Sequence, residues 1–334
     1  MAHELRKLQK ETAQLQRTVQ SQARKLQSHQ RLLSSILISH ELTAVGPLKW
    51  LQELNLEFLR LIDAICVAHD LPYWLDCGTL LGAVRHGGFI PWDDDIDLAM
   101  QRADYWRFLP VLENELNRLG LDDCTTFSRH RQNAKEPRVD SGHLQIGVRT
   151  PGYIAAMLDV FPYDFVTAEG AARLERTPFR AAVLGYRQAQ IEDGSFPFTE
   201  LRGRAATRGS EVSRTELAML AEHSAPLGIV LEGETEFLAP GLDSNWYYRA
   251  VPVDQVLPLS QVRFSGAEYP APAHVRKYLV GEYGESYLDL PGIVAVHDRL
   301  GALQAAADGE ADLAGLTERL RTATLAIQQR RQTG

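Results

Sequence analysis

Residues Tyr73 to Met100 read YWLDCGTLLGAVRHGGFIPWDDDIDLAM, and the end of this stretch decides the fold. Asp93, Asp94, Asp95 and Asp97 follow Ile90-Pro91-Trp92 directly and precede the apolar pair Leu98-Ala99. Read as an emerging strand, the two-residue period puts Asp93, Asp95 and Asp97 on one face and sends Ile96 and Leu98 into a core. Carboxylates two apart on a strand lie about 6.6 Å apart and repel by roughly 2 to 3 kcal/mol at an effective dielectric of about 20. A cation belongs among them. A hard divalent ion, Mg²⁺ or Mn²⁺, fits best, because it takes one or two carboxylates together with substrate phosphate oxygens. A solvated acidic turn is the competing reading. Apolar flanks on both sides and the strand-period alternation count against it.

Upstream, Gly78-Thr79 stands at the start of the helix implied by Thr79 to Val84, where a backbone N–H and a hydroxyl can receive a phosphate. Arg85, His86 and the Gly87-Gly88 pair connect that helix to the acids and add positive charge where a phosphate would arrive. Tyr73-Trp74-Leu75 reads as the first strand.

The run GTLLGAVRHGGFIPWDDDID is similar to the signature of the LicD-type phosphotransferases, a family that takes in the fukutin-related proteins and belongs to the nucleotidyltransferase superfamily. Leu158-Asp159-Val160-Phe161-Pro162-Tyr163-Asp164 resembles a second family stretch. A third runs from Pro258-Leu259 through Tyr278-Leu279 and Glu282-Tyr283-Gly284 to Leu290-Pro291. The resemblance covers roughly residues 50 to 295. It implies an α/β (α+β) domain, a nucleotidyltransferase-like mixed sheet with flanking helices, and a divalent-metal enzyme. Such an enzyme moves a phosphorylated alcohol, phosphocholine or a phosphopolyol, from a CDP-linked donor to a glycan or lipid-linked sugar acceptor of a cell-surface polysaccharide. Asp95, Asp97 and Asp159 then become the catalytic candidates, Asp93, Asp95 and Asp97 the metal ligands, and Gly78, Thr79, Arg85, His86 and Trp92 the substrate-binding set. The superfamily pattern has a shorter gap between its Gly-Ser/Thr and its Asp-x-Asp than the gap from Thr79 to Asp95. Choosing Asp95 and Asp97 therefore rests on the LicD-type run and on apolar Ile96 and Leu98. Asp159, between Leu158 and Val160, is a metal ligand or the general base for the acceptor hydroxyl; Asp164 is a weaker candidate. Two other functions stay open: a nucleotidyltransferase making an activated sugar or alcohol, and a non-catalytic coiled-coil assembly protein.

Around this core, residues 1–45 read as a coiled-coil oligomerisation helix, 46–300 as the catalytic domain and 301–334 as a helical tail. With Leu5 at a, the a/d positions are Leu5, Leu8, Thr12, Leu15, Val19, Gln22, Leu26, His29, Leu33 and Ile36, seven of the ten apolar. This seam predicts a homo-oligomer; an isolated amphipathic helix lying on the catalytic domain is the alternative. Up to His40 the segment has seven Lys or Arg against two Glu, so a net charge of -8 leaves about -13 on the remainder. Its basic residues read as scattered around the helix, which ranks oligomerisation above membrane contact. Gly46-Pro47 is the joint, and a helix from Leu48 to near His69 places Leu51, Leu54, Phe58, Leu61, Ile62 and Ile65 on one stripe.

Further along, Ala103 to Leu119 is a helix with a core stripe, Thr125 to Gly142 a basic loop or irregular strands, and His143 to Val148 and Ala155 to Val160 two strands. Helices are expected over 171–191 and 215–230, strand character over Arg249 to Arg263, and a tyrosine-rich helix and loop from Tyr278 to Pro291. Leu313, Leu316, Leu320 and Ile327 mark a terminal helix that packs on the domain or on a partner subunit. The acidic balance, with pI about 5.7, gives no sign of nucleic-acid binding. Cys66, Cys77 and Cys124 lack metal-ligand spacing. No apolar run approaches the ~20 residues of a membrane span and no signal-peptide core is present. The expectation is a cytoplasmic protein, at most peripheral to the inner membrane face.

Overall fold

The computed structural model describes residues 2–39, 43–128, 143–150, 152–174, 200–201, 229–230, 234–241, 249–289, 301, 303–304 and 309–333. The predicted basic loop over 129–142 and most of the helices expected over 171–191 and 215–230 lie outside these residues.

The first elements are α1 (Ala2–Ser39), α2 (Pro47–Ala68), β1 (Trp74–Leu75), α3 (Cys77–His86), β2 (Ile96–Gln101), α4 (Arg102–Arg118), β3 (Thr125–Ser128), β4 (Leu144–Arg149), β5 (Ile154–Val166) and α5 (Ala168–Leu174). Then come β6 (Glu200–Leu201), β7 (Ile229–Val230), β8 (Phe237–Pro240), β9 (Val251–Pro252), α6 (Val253–Val256), β10 (Ser260–Phe264), β11 (Ala267–Ala271), α7 (Val275–Tyr283) and α8 (Gly309–Thr333). A mixed sheet runs β1-β2-β5-β4-β3-β6, with β7 and β8 on the far part of β5 and β9 on β8; β10 and β11 form a separate hairpin. This is the expected mixed sheet with flanking helices, preceded by an N-terminal helix. One parallel pair, β2 with β5, matters most, because its register sets Asp97 opposite Asp159.

The sheet is sealed by helix stripes at 3.6-residue spacing. Leu51, Leu54, Phe58, Leu61, Ile62 and Ile65 of α2 are all fully buried. At about 2 kcal/mol per large apolar side chain removed from water, that stripe is a principal cohesive element. Helix α8 packs along α2 and buries Leu313, Leu316, Leu320 and Ile327, so the terminal helix belongs to this chain's own core. In α4, Leu109, Leu112 and Leu116 are buried, with Trp106 and Leu119 packed against the core's edge.

Helix α1 is continuous over 38 residues. Its seam positions Leu15, Val19, Leu26 and Leu33 are each more than half exposed. The expectation that its basic residues are scattered is corrected here: Arg17, Arg24 and Lys25 line one face together with Gln20, Ser21 and Ser28. Among the described residues, no helix is long and apolar enough to cross a membrane.

Candidate active site

The site forms where the first turn of α3 meets the start of β2. Strand β1 ends at Leu75, and past Asp76 the chain reverses through Cys77, whose φ of 41° is a left-handed conformation unusual for a residue with a side chain. Helix α3 then begins at Cys77, two residues earlier than expected. Its opening turn grips Asp97 twice. The Gly78 N–H donates to Asp97 Oδ2 at 2.9 Å, and the Asp97 N–H donates to Thr79 Oγ1 at 2.8 Å. A glycine at 78 leaves these carboxylates where they stand, because a Cβ there would lie 2.9 Å from Asp93 Oδ2 and 3.3 Å from Asp97 Oδ2. The backbone N–H assigned to a phosphate is thus engaged by a strand carboxylate, which also collects the positive end of the helix.

Strand β2 begins only at Ile96; Asp93, Asp94 and Asp95 lie in the turn leading into it. The single strand face drawn through Asp93, Asp95 and Asp97 is therefore corrected. Ile96 and Leu98 do enter the core, and Asp97 faces the other way, half-buried. The turn is held from behind by α2. Gln52 Nε2 donates to the carbonyls of Ile90 (3.2 Å) and Asp93 (2.8 Å), and Asn55 Nδ2 to that of Asp94 (2.7 Å). Asn55 Oδ1 in turn accepts the Met157 N–H of β5. Sequence reading missed both residues. The signal was there: Asn55 occupies a fully buried position of an otherwise apolar helix stripe.

Asp93, Asp94 and Asp95 present carboxylate oxygens that all lie within 4.8 Å of one another. Asp94, to which the sequence reading gave no role, thus joins two of the expected ligands. Burial, and then the charges of Asp95, Asp159, Asp93 and Asp76, hold the Asp97 carboxyl well above the usual carboxylate range. Oxygen-only donors crowded to this degree suit a hard divalent cation.

Asp159 shares its rung of the sheet with Asp97 on one side and Gln145 on the other. Gln145 Nε2 lies 3.2 Å from Asp159 Oδ1, and His143 Nε2 lies 3.1 Å from Asp159 Oδ2. Asp164, by contrast, receives two hydrogen bonds from Arg102, at 2.8 and 2.9 Å, both side chains buried. That bidentate pair makes it a structural residue.

At the other end of α3, Gly87 takes the left-handed conformation (φ 67°) that ends a helix. Arg85 donates from Nε to His86 Nε2 at 2.9 Å and from Nη1 to the Asp289 carbonyl at 3.1 Å, with its guanidinium 5.8 Å from the centre of the Trp92 ring. Burial and the Arg85 charge push His86 down to about 4. His86 is therefore neutral near pH 7 and adds none of the positive charge expected of it. Below the acids, Tyr278 and Tyr163 donate to Asp76 at 2.7 and 3.0 Å, tying α7 to the start of α3.

Residues 70–147 match the model of the LicD/FKTN/FKRP nucleotidyltransferase domain. Over this stretch the chain is similar to the LicD family. It is 50% identical over 64 residues to the lipopolysaccharide cholinephosphotransferase LicD of Haemophilus influenzae, covering 18% of this chain and 24% of that protein. To the ribitol 5-phosphate transferase FKRP of Homo sapiens it is 46% identical over 48 residues, covering 14% of this chain and 10% of FKRP. The chain thus spans a quarter or less of these curated relatives. The stretch matched by the family model takes in α3, the acidic turn, β2, His143 and Gln145, and stops short of Asp159.

Proposed function

We propose that this chain transfers a phospho-alcohol group, of the phosphocholine or ribitol phosphate type, from a CDP-linked donor to a hydroxyl of a cell-surface glycan precursor. The observation that carries the reading is the rung of Asp97 and Asp159 beside the Asp93–Asp95 turn. It sets a cluster of acids suited to a cation beside a separately tethered carboxylate. The two relatives named above, a cholinephosphotransferase and a ribitol 5-phosphate transferase, supply the class of group moved.

Asp93, Asp95 and Asp97 would hold Mg²⁺ or Mn²⁺, with Asp94 beside them. When bound, the cation neutralises the donor's pyrophosphate and makes its phosphorus easier to attack. The remaining work falls to the chain. Asp159 accepts the proton of the acceptor hydroxyl, whose oxygen forms a new bond to the phosphorus bearing the alcohol. The bond from that phosphorus to the bridging oxygen breaks, and its electron pair leaves on cytidine monophosphate. Gly78 and Thr79 keep Asp97 in place throughout. Arg85 and Trp92, stacked together at the other end of α3 next to His86, would meet donor phosphates or the alcohol.

The exposed seam of α1 supports assembly into a homo-oligomer through a coiled coil. The experiment for the activity is incubation with CDP-choline, CDP-ribitol and related CDP-alcohols plus Mg²⁺, measuring released cytidine monophosphate. Pyrophosphate release from CTP, with no CDP-alcohol cleaved, would overturn it in favour of nucleotidyl transfer.

A further inference from the structure

The geometry points to His143 as a positioning residue that holds Asp159 apart from the cation-binding acids. The inference rests on the reading of Asp159 as the acceptor-side base. His143 directly precedes β4, and in the register of β4 with β5 it falls opposite Phe161, two residues beyond Asp159. Its ring packs on Phe161 with centroids 4.5 Å apart and is 4% exposed. One face of the imidazole is thus fixed by an aromatic ring and one edge by a carboxylate.

The tautomer follows from its surroundings. Nδ1 is buried and has no hydrogen-bond partner among the described residues. A proton there would be an orphaned buried N–H, whereas Nε2 lies 3.1 Å from Asp159 Oδ2. A lone pair on Nε2 would face a carboxylate oxygen. Both conditions place the proton on Nε2, donated to Asp159. Gln145 donates to the same carboxylate from the same side.

Asp97 stands on the other side of that rung. Two like charges on neighbouring strands repel, and a cation at the acidic turn would draw both inward. Donors anchored on the β4 side oppose that pull. They keep one carboxylate out of the cation's coordination and aimed at the acceptor. Among the described residues, the carboxylates of Asp93, Asp94 and Asp95 converge, whereas Asp97 and its rung partner Asp159 lie outside that group, and of these two Asp159 is the one tethered by His143 and Gln145.

Three substitutions test this. In His143→Gln the side-chain amide nitrogen takes the place of Nε2 and can still donate; in His143→Asn the amide falls at the δ position; His143→Ala removes both. With CDP-choline or CDP-ribitol and Mg²⁺, His143→Ala should lose about ten-fold or more in kcat, with the donor KM within about two-fold. His143→Gln should recover most of the loss and His143→Asn should not. Recovery by Asn rather than Gln, or a change confined to the donor KM, overturns the inference. If His143→Ala does not fold, the comparison of Gln with Asn decides alone. Nitrogen-15 NMR of the wild-type imidazole provides a reading independent of turnover: a proton on Nδ1 overturns the inference, and one on Nε2 supports it. Should no CDP-alcohol be cleaved by the wild type, the donor reading fails while the NMR result still judges His143.

Discussion

Asp97 and Asp159 stand in register on two parallel strands, so a single rung of the sheet carries two carboxylates side by side. Removing one charge should relieve the fold and harm the chemistry. Asp97→Asn is expected to weaken Mg²⁺ binding and lower turnover by orders of magnitude, while the metal-free protein melts no lower than wild type. Thermal melts of both proteins with and without Mg²⁺ check this. A structural acidic turn predicts the reverse: lost stability and no response to Mg²⁺.

Gly78→Ala separates stability from function at the same place. In a helix an alanine is favoured over glycine by about 1 kcal/mol, so the fold should tolerate it. The new Cβ, however, must push the Asp93 and Asp97 carboxylates aside. The expected result is a melting temperature within a few degrees of wild type, with kcat reduced about ten-fold or more. Unchanged turnover would show that these carboxylates do not need their present spacing.

His86 gives a pH dependence. Its folded value, about 4, lies below the ordinary 6.5, so between these values the unfolded chain takes up a proton that the folded chain refuses. Stability attached to the neutral ring is present above pH 6.5 and is lost as pH falls towards 4. One pKa unit is about 1.4 kcal/mol; screening at a half-buried ring reduces the total to about 1 to 2 kcal/mol. Denaturant unfolding at pH 7 and pH 5 should show about half of that loss in wild type and a smaller one in His86→Gln.

Asp164→Ala should behave unlike any change at Asp159. It leaves the buried Arg102 guanidinium uncompensated, which costs about 3 to 5 kcal/mol. Turnover per folded molecule should remain near wild type. A selective loss of turnover at unchanged stability would return Asp164 to the catalytic set.

Deleting residues 1–40 should convert an oligomer into a folded monomer that retains donor cleavage, as light scattering and the CMP assay would show. A monomeric intact chain at micromolar concentration would remove the coiled-coil reading.

The acids and the glycine were legible because each breaks a local rule: Asp97 puts charge between core residues, and Gly78 interrupts a helix start. The supporting side chains were harder to see. Gln52, Asn55, His143 and Gln145 act through contacts made only once α2, β4 and β5 come together, and nothing in their own neighbourhoods sets the register. Asn55 was the exception, a polar residue on an apolar stripe. His86 failed differently. Its type suggested charge, but its state depends on the Arg85 guanidinium that closes on it. For Asp93 to Asp95, the alternation of Asp95-Ile96-Asp97-Leu98 suggested a strand reaching back to Asp93, and the turn pinned by Gln52 and Asn55 prevailed.

The pairing of β2 with β5 also bears on how the relatives are recognised. The matched stretch, residues 70–147, carries β2 but not β5, and the α2 side chains that hold the acidic turn precede it. Cut out on its own, that stretch would expose one edge of β2 and lose Gln52, Asn55 and Asp159 together. The matched stretch by itself is therefore not a complete folding unit of this chain. Grafting it into another protein would carry over the acids of the turn and Asp97 but not Asp159 beside them.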